Sequence, residues 1–158
     1  MTYLFMGLLA AFIVAADQFT KYLTVANIPL HGYVAALPGI FCLTYTQNTG
    51  AAWSSFQGML WLFALIFAVF AGFILWEFPK KRLGFTTFER FCLVAVFGGG
   101  LGNMIDRLRL GYVVDMICLE FMNFPVFNVA DCFITCGCIG LMVSLVLFNK
   151  EFWKEEKK

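Results

Sequence analysis

The sequence predicts an all-α integral membrane protein with four transmembrane helices, a small extracytoplasmic β-element and a short interfacial helix. Its 158 residues are 61% hydrophobic and 13% charged, whereas soluble domains average roughly 45–50% and about 25%. Four long runs carry few charges, and each can cross a hydrocarbon core of ~30 Å as a helix. We therefore expect one membrane-embedded domain over residues 1–158.

The four predicted spans cover about residues 3–25, 59–77, 88–106 and 126–148. A cleaved signal peptide is the alternative for the first span, but no Lys or Arg precedes its apolar run, which favours a retained helix. In the third span, Gly98 and Gly102 form a small-xxx-small pair that allows another helix to approach closely.

The first interhelical segment, residues 26–58, contains the predicted β-element. Alternating side chains from Phe41 to Thr46 are typical of a strand. The Asn48-Thr49-Gly50 turn ends the strand. Residues 51–57 then form the predicted interfacial helix, with Trp53 and Phe56 as its membrane anchors.

Basic residues predict the orientation in the membrane. Most Lys and Arg residues lie between spans two and three or in the tail, residues 149–158. The positive-inside rule then puts both termini and the loop of residues 78–87 in the cytoplasm. Segments 26–58 and 107–125 are expected outside. The net charge of +1, without a basic patch, gives no reason to expect nucleic acid.

Polar residues embedded in apolar sequence gather at the predicted outer ends of the spans and in the outer loops. Spacings of three or four residues put several of them on shared helical faces. We read Asp17 with Lys21 mainly as a structural ion pair, while interhelical bonding and substrate contact stay equal alternatives for Asn103 and Arg107. The full set is Asp17, Lys21, Asn48, Asn103, Asp106, Arg107, Asp115, Asn128 and Asp131.

Asp115 and Asp131 are the candidate catalytic residues. Each lies in strongly apolar sequence, and an isolated buried carboxylate is costly unless it is paired, protonated or functional. Two neighbouring carboxyl groups share a proton near neutral pH, so one can activate water while the other donates to a carbonyl oxygen. Other hydrolytic schemes lack support, because His31 is the single histidine and no H-E-x-x-H motif occurs.

The six cysteines leave two alternatives open. Cys132 and Cys136 share a helix face, which is compatible with a metal or redox pair, but packing as small apolar residues is favoured. Cys42 and Cys118 both lie in predicted outer segments, so a disulfide between them is conceivable.

Five ordered segments make the chain resemble the lipoprotein signal peptidase, or signal peptidase II, family over essentially its whole length. Trp53 stands where the family more often has Phe, and residues 116–125 differ from its pattern. The five segments are Asp17-Gln18-Phe19-Thr20-Lys21, Asn48-Thr49-Gly50-Ala51-Ala52-Trp53, Gly99–Arg107, Val113-Val114-Asp115 and Phe127-Asn128-Val129-Ala130-Asp131.

This resemblance implies an aspartyl endopeptidase of the bacterial inner membrane. Its substrate would be a diacylglyceryl-modified prolipoprotein, cut just before the lipidated cysteine at the outer face of the membrane. Asp115 and Asp131 would be catalytic, and Asp17, Lys21 and Asp106 would give structural support. The residues expected to bind substrate are Asn48, Gly50, Asn103, Arg107, Asn128 and Ala130.

The resemblance further implies inhibition by globomycin and no metal or cofactor. We expect membrane lipid as a partner and a monomeric state. The rival prediction is a small proton-coupled transporter or channel subunit, which would place carboxylates at the midplane or in a chain across the bilayer. A non-catalytic assembly protein is a third alternative, and it would not need Asp115 and Asp131 to meet.

Overall fold

Four long helices make up most of the protein. The computed structural model describes residues 2–50, 58–149 and 152. Each helix is long and apolar enough to cross a membrane, as the sequence predicted. The helices are α1 (Thr2–Asn27), α2 (Leu60–Lys80), α3 (Thr87–Leu110) and α4 (Val129–Val143), the last continued by a π-helical turn (Ser144–Phe148).

Helix α3 is the centre of the bundle and packs against α1, α2 and α4. Half of its most apolar membrane-length stretch is buried inside the protein, against 11–17% for the other three helices. Their outward faces carry large apolar side chains such as Phe12, Leu75 and Phe148, which are 62%, 76% and 74% exposed. Apolar surface on this scale is matched to lipid rather than to water.

Glycines set the closest helix contacts. A Cβ atom on Gly99 would lie 2.5 Å from the carbonyl oxygen of Ala130, and one on Gly102 would lie 2.5 Å from Oδ2 of Asp17. The predicted close approach at the glycine-rich part of α3 is therefore used twice, toward α4 and toward α1. Both contacts lie beside polar residues, since Asp17 is itself one partner and Ala130 directly precedes Asp131.

A three-stranded antiparallel sheet lies beside the helices, in the order β1 (Tyr33–Leu37), β2 (Phe41–Asn48) and β3 (Val113–Leu119). The predicted β-element corresponds to β2. Residues 107–125 were expected only to lie outside the membrane, and the structure adds that they contain strand β3. Residues 51–57, the expected interfacial helix, lie outside the described residues.

The turn between α3 and β3 directs strand β3 toward the candidate site. Helix α3 ends at Gly111, whose positive φ of 81° is the left-handed conformation that glycine adopts without strain. Its backbone N–H donates to the carbonyl oxygen of Arg107. Strand β3 starts two residues later and pairs Asp115 with Thr46 of β2.

A second buried polar cluster lies at the opposite end of the bundle. Glu89 accepts hydrogen bonds from Oγ of Ser144 (2.8 Å) and Nδ2 of Asn149 (2.7 Å). Arg90 approaches Glu77 at 3.5 Å, and all five side chains are buried. The sequence prediction that embedded polar residues gather at one membrane face was therefore incomplete.

Candidate active site

The start of α4 holds Asp131 through a reciprocal cap. Oδ1 of Asn128 accepts from the backbone N–H of Asp131 (3.0 Å), and Oδ2 of Asp131 accepts from the backbone N–H of Asn128 (3.1 Å). This capping box satisfies two amide groups that a helix start would otherwise leave unpaired. It also holds the Asp131 carboxylate in the first turn, where the helix dipole favours negative charge.

The Asn128 side chain joins the two aspartates. Its Nδ2 donates to Oδ1 of Asp115 at 2.6 Å and to Oδ1 of Asn103 at 3.0 Å. Asp115 accepts a further bond from Nδ2 of Asn48 at 2.9 Å. Four separate segments of the chain, namely β2, α3, β3 and the start of α4, therefore meet around the carboxyl groups.

Asn103 links this group to Lys21. Its Oδ1 accepts from Nζ of Lys21 (2.9 Å) and from Asn128, while its Nδ2 donates to Oδ1 of Asp131 (2.8 Å). Two donors on one oxygen fix which way the amide points. The Asn103 N–H group is consequently directed at the Asp131 carboxylate.

Lys21 lies between two carboxylates, at 2.8 Å from Asp17 and 2.9 Å from Asp106, and all three side chains are buried. The pairing of Asp17 with Lys21 that the spacing predicted is present. Asp17 also accepts from the backbone N–H of Ala130 (3.0 Å), and Asp106 accepts from that of Val114 (3.1 Å). This ion cluster therefore ties down the residues that immediately precede Asp131 and Asp115.

Gln18, which was not among the predicted site residues, belongs to the same cluster. Its Nε2 donates to Oδ1 of Asp106 at 2.9 Å and to the carbonyl oxygen of Gly102 at 3.2 Å. Its position between Asp17 and Lys21, within an otherwise apolar helix, was the signal available in the sequence.

Arg107 connects α3 to the turn after β2. Its Nη2 donates to the carbonyl oxygen of Gly50 at 2.8 Å, and its guanidinium lies 4.2 Å from the ring centroid of Phe63. Gly50 is held in turn by its backbone N–H, which donates to Oδ1 of Asn48. Arg107 is half-buried, so part of its donor set faces the adjoining cavity.

A cavity of about 880 Å³ adjoins these groups. Its wall is formed mainly by apolar residues of α2, α3 and α4, including Phe63, Phe67 and Ile134. A few polar side chains interrupt this wall: Asn48, Asn103, Arg107, Asp115 and Asp131. Such a pocket suits a largely apolar ligand that places one polar bond beside the carboxyl groups.

Gly50, Asn128 and Ala130 differ from the other predicted substrate-binding residues, because they are buried and are not among the residues that line the cavity. The backbone N–H of Ala130 donates to Asp17. Gly99 packs against the carbonyl oxygen of Ala130. These contacts favour a role in setting the position of α4, and direct contact with substrate stays a prediction.

Burial is the main influence on the ionisation of Asp115. It raises the pKa of this carboxyl group from 3.8 to about 6, and the negative charge of Asp131 acts in the same direction. Hydrogen bonds from Asn48 and Asn128 oppose the rise. Asp115 therefore keeps its proton to a higher pH than an exposed aspartate does.

The donor set gives little support for a metal centre. Within residues 2–50, 58–149 and 152, no three His, Cys, Asp or Glu side chains are grouped so that they could hold a metal ion together. The amide donors on Asp115 and Asp131 also occupy oxygens that would serve as ligands. What the arrangement provides is two carboxyl groups, Asp115 and Asp131, held by amide donors at the wall of the cavity.

Comparisons with known proteins agree on one family. A family model described as signal peptidase (SPase) II matches residues 9–147. A lipoprotein signal peptidase of Streptococcus agalactiae serotype Ia is 43% identical over 144 residues, covering 91% of this chain and 88% of that protein. One from Latilactobacillus sakei is 42% identical over 148 residues, covering 94% and 95%.

A solved structure extends the similarity to the fold. It is described as a bacterial membrane enzyme determined by the in meso method at 2.3 Å resolution. Its TM-score is 0.84 at 31% identity, with 97% of this chain and 93% of that chain covered.

Proposed function

The chain belongs to the signal peptidase II family, and on that premise we propose that it removes the signal peptide from diacylglyceryl-modified prolipoproteins. In this proposal it is an aspartyl endopeptidase that cleaves just before the lipidated cysteine. The curated relatives carry the name lipoprotein signal peptidase. The observation that carries the proposal is the Asn128 side chain, which contacts Asp115 directly and caps the helix turn that presents Asp131.

Asp131 is the proposed general base. It lies in the first turn of α4 and accepts bonds from the side chain of Asn103 and from the backbone N–H of Asn128. In the reaction it takes a proton from a water molecule, whose oxygen then attacks the scissile carbonyl carbon. The chemistry needs no covalent intermediate.

Asp115 is the proposed acid. Its raised pKa favours the protonated form at a pH where an exposed aspartate would be ionised. It donates to the carbonyl oxygen as the tetrahedral intermediate forms. When that intermediate collapses, the C–N bond breaks, the proton taken by Asp131 passes to the leaving amine, and a hydroxyl group of the intermediate returns a proton to Asp115.

The other polar groups at the cavity bind the substrate or position the residues that do. We assign backbone contacts to Asn48, Gly50, Asn103 and Arg107, with Arg107 supplying charged donors, and positional roles to Asn128 and Ala130. The ion cluster of Asp17, Lys21 and Asp106 stabilises this arrangement through its bonds to the backbone of Ala130 and Val114. The apolar wall between α2 and α4 suits a signal peptide and acyl chains that arrive laterally from the bilayer.

The proposed setting is the bacterial inner membrane, with cytoplasmic termini and the carboxylate site at the outer face. The protein is a multi-pass membrane protein, and the bias of basic residues supports the orientation. Residues 1–158 then form one membrane-embedded peptidase domain. A monomeric state, contact with membrane lipid, independence from metal and inhibition by globomycin belong to the same proposal.

A transporter is disfavoured by the distribution of charge along α3. Residues 91–102 carry no charged side chain, and they separate the carboxylate site from the Glu77 and Glu89 cluster. A proton path across the bilayer needs titratable groups or water along its length. The two polar clusters therefore form separate sites at opposite ends of the bundle.

The function can be tested with two precursor peptides that differ only in the diacylglyceryl group on the cysteine. The purified protein should cleave the lipidated precursor, and product masses should place the cut before the modified cysteine. Asn128→Ala should lower cleavage at least 10²-fold, whereas Asn27→Ala, which removes an exposed amide, should leave it unchanged. Equal cleavage of both precursors, or a cut elsewhere, would contradict the proposed substrate.

A further inference from the structure

The thiols of Cys42 and Cys118 lie opposite each other in the sheet. Cys42 of β2 and Cys118 of β3 are direct partners in the antiparallel ladder, and both are free. Directly opposed residues of such strands point to the same face, with Cα atoms about 4.5 or 5.5 Å apart. Both separations fall within the range that a disulfide spans.

From this placement we propose that Cys42 and Cys118 form a cross-strand disulfide site, which is closed by thiol–disulfide exchange with a small or protein disulfide. The bond would connect the strand that carries Asn48 to the strand that carries Asp115. On the outward orientation proposed above, the sheet lies on the side of the membrane where disulfides persist. The inference does not depend on the proposed peptidase activity.

The two cysteines differ in solvent exposure, and this difference sets the order in which their thiols react. Cys42 is buried at 2% exposure, while Cys118 is half-buried. The Cys118 thiolate therefore attacks the oxidant R–S–S–R first, giving a mixed disulfide and releasing one RS⁻. Cys42 then attacks the Cys118 sulfur and releases the second RS⁻. Two thiols are oxidised, one disulfide is reduced, and two protons pass to the released thiolates or to water.

The second step should be slow at neutral pH. Burial, followed by the neighbouring Cys118 thiol, raises the pKa of Cys42 to about 11. Because the thiolate is the attacking species, closure should quicken about tenfold for each unit by which the pH is raised, up to that value. A mixed disulfide at Cys118 is consequently expected to be detectable before the Cys42–Cys118 bond forms.

The experiment treats the full chain in detergent with oxidised glutathione and identifies products by peptide mass spectrometry. Wild type should yield a linked Cys42–Cys118 peptide. Cys42→Ser should stop at a glutathione adduct on Cys118, and Cys118→Ser should leave the buried Cys42 unmodified. Cys132 and Cys136, four residues apart in α4, are the matched internal control and should stay unlinked.

A second readout is the thermal unfolding midpoint before and after oxidation. Cross-linking residues this far apart in sequence restricts the unfolded chain, so the midpoint should rise by about 5–10 °C in wild type and in neither serine variant. A glutathione adduct in wild type that does not convert to the linked peptide even when the pH is raised, like that of Cys42→Ser, would overturn the proposal. Two unmodified thiols in wild type after exhaustive oxidation would also overturn it.

Discussion

Asp115→Asn is expected to raise the stability of the folded protein at pH 8 while abolishing cleavage. The substitution removes a carboxyl group that is 2% exposed and keeps nearly the same shape. In the folded chain, the pKa of Asp115 is raised from 3.8 to about 6. The group is therefore ionised at pH 8 in a place that disfavours its charge.

The size of the effect follows from this shift. Between pH 4 and 6 the folded state binds more protons at Asp115 than the unfolded state does, so stability falls as pH rises through this window. Each pKa unit corresponds to about 1.36 kcal/mol, so the full cost above pH 6 is about 3 kcal/mol. The Asn amide must still face donors from Asn48 and Asn128, which reduces the expected net gain to about 1–3 kcal/mol.

The assay is thermal unfolding in detergent from pH 4 to pH 8. For a chain of this size, 1 kcal/mol moves the midpoint by about 2–4 °C. The unfolding midpoint of Asp115→Asn should therefore exceed that of wild type by about 2–12 °C at pH 8, and the gap should close near pH 4. Asp106→Asn is the matched control and should lower the midpoint, because Lys21 loses a buried ion-pair partner. A variant less stable than wild type at pH 8 would refute the reasoning.

Three further outcomes are expected. Wild-type cleavage should increase as pH falls from 8 toward 6, because the protonated fraction of Asp115 rises; a rate that climbs steadily to pH 9 would contradict this assignment. Lys21→Met should cost about 3–5 kcal/mol in the free energy of unfolding, since it leaves buried Asp17 and Asp106 without their cation, and an unchanged denaturation curve would be inconsistent with the ion cluster. Gly99→Ala should lower the thermal midpoint, because its Cβ would lie 2.5 Å from a backbone oxygen, whereas Gly72→Ala, with open space around it, should not lower it.

The four helices and the polar groups at one end of them were predictable because both signals are local. A run of about 20 apolar residues is visible without any knowledge of the fold. Pairs three or four residues apart, such as Asp17 with Lys21 and Asn128 with Asp131, follow from helical geometry alone. The structure contains both pairs.

Strand β3 was missed because its sequence lacks the alternation that marks a half-buried strand. Residues 113–116 are all buried, so both faces are covered and no period of two appears. Its pairing with β2 joins segments about 70 residues apart, and register over such a distance has no local signature. The hydrogen bond from Asn128 to Asp115 was not predicted for the same reason, because it joins two separate elements and has no local signature in the sequence.

The cluster around Glu89 was missed for a related reason. Its charged residues lie beside Pro79 and a Lys-Lys-Arg run, a pattern typical of a solvated loop. Burial is possible there because partners from distant segments satisfy the carboxylates, as Ser144 and Asn149 do for Glu89. A single sequence does not reveal which charges acquire such partners.

The most direct test of the central claim is cleavage of a diacylglyceryl-modified prolipoprotein by wild type, Asp115→Asn and Asp131→Asn, each with and without chelator. We expect wild type to cleave equally in both conditions, and both variants to be folded but slower by at least 10³-fold. Near-normal activity in either folded variant would contradict the assignment of Asp115 and Asp131 as the catalytic pair. Loss of wild-type activity with chelator would contradict the metal-free mechanism.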